Sequence, residues 1–157
     1  MTFVPILFLA IATYTDIKEK KIKNSLTYSL ILLGLIVSSY KTGYMGSIDS
    51  MGGIVIALLV VSQLPGFRHG GGDIKLAMGI GSFLGISKIM YFLFFWFLLS
   101  LLVCNFKLIR NKGFQYFKNI LWGEIILLGN VKEEKIVSTV GAPIMLVAYL
   151  VTLIYKG

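Results

Sequence analysis

The chain has 157 residues, of which 57% are apolar and only 14% charged, with a formal net charge of +8, one cysteine and one histidine; its mean hydropathy is +0.85. That balance lies outside the range of soluble domains, and it excludes an internal disulfide and a Cys-rich metal site. The basic residues are scattered between apolar runs instead of forming one patch, so the charge speaks for membrane topology and anionic headgroups and against nucleic acid as a partner.

Six apolar segments can be drawn, at about 2–16, 25–40, 48–65, 73–86, 88–107 and 136–155. Lipid-exposed backbone must satisfy its own hydrogen bonds, so each is expected to be helical. The expectation is an all-α integral membrane protein, one polytopic domain over residues 1–157 with about six transmembrane helices. The first run, Met1 to Thr15, lacks the positive start of a cleavable signal and carries its charges afterwards, which predicts a retained helix that begins outside. It ends at Asp16-Ile17-Lys18, followed by Lys20, Lys21 and Lys23. The second and third runs are joined by an outer loop that includes Asp49.

The fourth run opens with Gly70-Gly71-Gly72-Asp73-Ile74-Lys75. A helix of about fourteen residues reaches only about 21 Å, short of a hydrocarbon core of about 30 Å. The first and fourth helices should therefore continue past their aspartates or thin the bilayer, leaving both acids just below the surface. Gly79, Gly81 and Gly85 read as close helix contacts, and Cys104 in the fifth run as a buried small hydrophobe. Asn111 to Lys135 is apolar but interrupted by Glu124; it predicts an interfacial helix on the cytoplasmic face, with a buried re-entrant element as the alternative. With the N-terminus outside, all but Lys41, Lys88 and Lys156 of the 15 lysines and arginines fall inside, as the positive-inside rule requires. Asp16 and Asp73 then share the cytoplasmic side.

Ionisable groups at membrane depth are functional hypotheses by default. Amide hydrolysis needs one group to activate water and another to protonate the departing atoms, and two carboxyls sharing one proton can supply both. Asp73 at a helix start is favoured as the anion and Asp16 at a helix end as the proton holder. Gly70, Gly71 and Gly72 would let a substrate strand lie against their loop and could adopt unusual φ. Taken alone, the same glycines could be a turn with Asp73 as a helix cap, and Asp16 could be one more solvated residue of a charged run. Lys75 could snorkel to headgroups or hold a peptide carbonyl. His69 reads as an interfacial basic residue, and the serines lack a histidine base. No metal or organic cofactor is expected.

These residues resemble the type IV prepilin peptidase family, membrane aspartyl proteases of the Gly-x-Gly-Asp type. Gly70-x-Gly72-Asp73 followed by Ile74-Lys75-Leu76 is similar to that family's second aspartate motif. Asp16 with Ile22 and Asn24 is similar to its first, and Ala142-Pro143 to its small residue plus proline in the last helix. Lys23 stands where the family often has proline. Presenilin-like proteases share Gly-x-Gly-Asp, but here Thr15 separates Tyr14 from Asp16, and a Pro-Ala-Leu motif is absent. The resemblance implies an aspartyl endopeptidase in the plasma membrane, with Asp16 and Asp73 catalytic and Ile22 and Asn24 supporting. It would remove a short basic leader from pilin-like or flagellin-like precursors on the cytoplasmic side. It also implies the short form, without the methyltransferase domain of longer members. A non-catalytic assembly component and a proton-coupled transporter of similar architecture are the competing classes.

Overall fold

The computed structural model describes residues 3–19, 22–63, 71–112 and 141–156, and all regular structure among them is α-helix. The helices are α1 (Phe3–Glu19), α2 (Asn24–Thr42), α3 (Tyr44–Gln63), α4 (Gly71–Lys112) and α5 (Gly141–Lys156). The helical class is as expected. Two stretches, Tyr44–Gln63 and Gly71–Val103, are long and apolar enough to cross a membrane, and Gly141–Tyr155 is a shorter apolar helix. α1 runs on past Asp16, and α4 begins ahead of Asp73, as the short apolar runs required. Arg68, His69, Gly70, the side chain of Cys104 and the expected interfacial helix beyond Lys112 lie outside the described residues.

Each helix buries one stripe and leaves an apolar one outside. On α1 the buried positions are Leu9, Ala12 and Asp16, while Phe3, Leu7, Ile11 and Tyr14 are exposed. A helix apolar on its outer face as well as its inner one suits lipid better than water. α1 packs along α5, and α2 along α3. Small residues bring α4 close to its neighbours: a Cβ on Gly81 would stand 2.5 Å from the carbonyl oxygen of Gly53 in α3, and one on Gly79 2.6 Å from Leu30 Cδ2 in α2. Gly79 and Gly81 are the close contacts expected of them.

Two details depart from the sequence expectation. The loop expected between α2 and α3 shrinks to Gly43, whose φ of +63° closes α2 with an N–H bond to the Ser39 carbonyl at 2.9 Å. Glycine enters that left-handed region without the Cβ clash other residues suffer. Asp49 is consequently a residue of α3 and not of a loop. The runs at 73–86 and 88–107 also form one helical stretch, broken at Gly85 (φ +68°, ψ −176°).

Two backbone groups freed at the break find partners on neighbouring helices. In an unbroken helix the Ile86 N–H would point at the Ser82 carbonyl; here it donates to Asp49 Oδ1 at 2.9 Å. The Ser82 carbonyl in turn accepts from Ser38 Oγ at 3.3 Å and from Ser50 Oγ. In apolar surroundings an unmet backbone group costs several kcal/mol, roughly, so side chains from two neighbouring helices make the break tolerable.

Leu98 to Thr139 form a compact unit of their own. Its described part is the end of α4, with Leu101, Leu102 and Phe106 exposed.

Candidate active site

Asp16 and Asp73 come from different helices and reach the same place. Asp16, in the last turns of α1, is 9% exposed and accepts the backbone N–H of Ala142 on Oδ2 at 3.1 Å. Asp73, in the first turn of α4, lies against the preceding residue: a Cβ on Gly141 would stand 2.5 Å from Asp73 Oδ1 and 2.8 Å from Oδ2. The two carboxylates therefore flank a single peptide unit. Chaining the 3.1 Å and 2.5 Å contacts through standard bond lengths puts the nearest oxygens at most about 10 Å apart.

That peptide unit begins α5, and its sequence explains why it can serve. The first N–H groups of a helix have no partner within the helix, so proline is tolerated there and a free amide can be given away. Pro143 contributes no donor, and the Ala142 amide goes to Asp16. Thr13, one turn earlier on α1, has a buried hydroxyl with no hydrogen-bond partner among the described residues.

The remaining motif residues hold the two aspartate-bearing segments together. Ile22, just after α1, faces Gly72: a Cβ there would come within 3.0 Å of Ile22 Cβ. Lys75 donates to Asn24 Oδ1 at 2.9 Å, and its ammonium lies 5.3 Å from the centre of the Tyr28 ring. Lys75 thus finds both of these partners on α2. Gly71 and Gly72 are also not a loop: they are the first residues of α4, without positive φ. Their use is close approach, at Gly72, where Ile22 fills the space a side chain would need. Gly71 has nothing within 4 Å of its would-be Cβ.

Sequence reasoning named both acids, Ile22, Asn24 and Lys75, but not Gly141, Tyr28 or the structural use of Asp49. A glycine directly before Ala142-Pro143 was the available signal. Among the described residues no group of three or more His, Cys, Asp or Glu could hold a metal ion.

Two acids from separate helices thus converge on the start of a third within an apolar helical protein. The chain belongs to the type IV leader peptidase family, whose model matches residues 3–105. It is also 32% identical over 83 residues to the preflagellin peptidase of Methanococcus voltae, a stretch covering 50% of this chain and 36% of that relative. The match thus spans little more than a third of the relative's length. No solved structure matches the chain.

Proposed function

We propose that this chain is an aspartyl endopeptidase that removes the short basic leader from pilin-like or flagellin-like precursors at the cytoplasmic face of the plasma membrane. The observation that carries the reading is the convergence of Asp16 and Asp73 on the Gly141-Ala142 peptide unit. The family supplies the leader-peptidase class, and the name of the Methanococcus voltae relative favours a flagellin-like substrate.

In this reading a water held between the carboxyls gives a proton to the ionised one as its oxygen attacks the scissile carbonyl carbon. The other carboxyl passes its proton to the carbonyl oxygen, leaving a neutral gem-diol. The first carboxyl then returns its proton to the leaving nitrogen, the C–N bond breaks, and a diol hydroxyl restores the proton to the second. The pair ends as it began, with one water consumed. A precursor anchored by its own apolar helix would bring the scissile bond to the depth of the pair before any chemistry. Its basic leader would remain inside for the same reason that the lysines of this chain do. The orientation with the N-terminus outside and about six spans belongs to this proposal, as does contact with membrane lipid.

Asp16→Asn and Asp73→Asn, each purified and checked for native helix content, should lower the cleavage rate of a preflagellin by roughly 10²–10⁴-fold, the usual scale of acid-base catalysis. Undiminished cleavage by both variants would end the proposal.

A further inference from the structure

We propose that Gly141 is a positioning residue for this reaction: its missing side chain is the space in which the Asp73 carboxylate stands while the next amide holds Asp16. The inference rests on the peptidase reading above.

A methyl group at residue 141 would meet a carboxylate, as one at Gly85 would meet that of Asp49. At Gly53 and Gly81 the nearest atoms belong to backbone, which cannot yield without moving a helix. At Gly141 all three nearest atoms belong to one carboxylate: Oδ1 at 2.5 Å, Cγ at 2.8 Å and Oδ2 at 2.8 Å. A Cβ at such distances forces a displacement, and the group able to move is the end of a short side chain turning about χ1 and χ2. The helices need not separate. An alanine here would therefore leave the fold in place and move the carboxylate group of Asp73.

The other acid fixes the direction of the argument. Ala142 is fully buried and its N–H is already committed to Asp16 at 3.1 Å. The start of α5 is consequently held by α1 and cannot easily back away from α4 to make room. One peptide unit sets the placement of both acids, through a hydrogen bond on one and through vacant volume on the other. The constraint acts on reacting atoms and not on substrate affinity. A displacement of about 1 Å at such atoms can cost on the order of 10²-fold in rate.

The test uses the full-length protein in detergent with a preflagellin that retains its basic leader. Gly141→Ala is expected to lower kcat about 10²-fold with KM within about twofold, and with circular dichroism and thermal midpoint unchanged. A wild-type kcat in Gly141→Ala overturns the inference. So does a Gly141→Ala protein that fails to fold, because the argument requires that only the carboxylate yields. These outcomes differ from failure of the peptidase reading, which is reported by continued cleavage in Asp16→Asn and Asp73→Asn with Gly141 intact.

Discussion

Lys75 donates a hydrogen bond of 2.9 Å to Asn24 Oδ1, fastening the start of α4 to the start of α2 across 51 positions of sequence. The lysine ammonium also sits over Tyr28 one turn further along α2. Asp73 lies two residues before Lys75, so the bond limits rotation of the helical turn that presents it. Solvent reaches this pair, which reduces its worth from the scale of a buried charged hydrogen bond. Lys75→Met, Asn24→Leu and the double variant should give a coupling of about 1 kcal/mol in reversible unfolding. Strict additivity would show that the bond does not constrain α4.

Gly85 and Asp49 invite a second measurement. Alanine at residue 85 would have to hold φ near +68° and would meet the Asp49 carboxylate, so Gly85→Ala should destabilise by about 1–3 kcal/mol. Asp49→Ala leaves the Ile86 N–H without its acceptor; the bond is exposed, so the loss should be about 0.5–1.5 kcal/mol, whereas Asp49→Asn retains a carbonyl oxygen and should cost less. Equal losses from the two Asp49 variants would mean that the charge, and not the accepting oxygen, sustains the break.

The Gly53-Gly81 contact offers the counterpart to Gly141. A side chain at residue 81 meets Gly53 backbone at 2.5 Å and 2.8 Å, so Gly81→Leu must part α3 from α4. Loss of more than about 2 kcal/mol, with weakened protection of both helices in hydrogen exchange, is expected. A stable, fully protected variant would show that close backbone approach is not what joins these helices.

Much of the architecture could be read before the structure because lipid leaves few choices. Apolar runs must be helices, and acids at their ends, such as Asp16 and Asp73, stand out against an uncharged background. The failures share one physical origin: they concern space and not composition. The runs at 73–86 and 88–107 suggested a boundary near residue 87, but the chain turns at Gly85, where Asp49 from another helix can take the freed N–H. Asp49 itself looked like a loop residue because nothing local reveals that one glycine, Gly43, suffices to reverse the chain. Gly71 and Gly72 suggested a flexible loop; with Ile22 against one of them, they are the opening of a helix. Gly141 gave no local sign of its neighbour, since that neighbour lies in α4.

The hydrogen bond from Ala142 to Asp16 joins residues 126 positions apart, while Lys75 and Asn24 are separated by 51. Closing the longer loop costs only about 1 kcal/mol more chain entropy, because that cost rises with the logarithm of length. Its consequence lies in order of events. As the ribosome delivers the chain, Asp16 and Asp73 are made and can be joined through α2 well before the amide that completes their setting exists. A nascent molecule would thus carry both acids without the finished arrangement, and readiness for chemistry would arrive as a late step of synthesis.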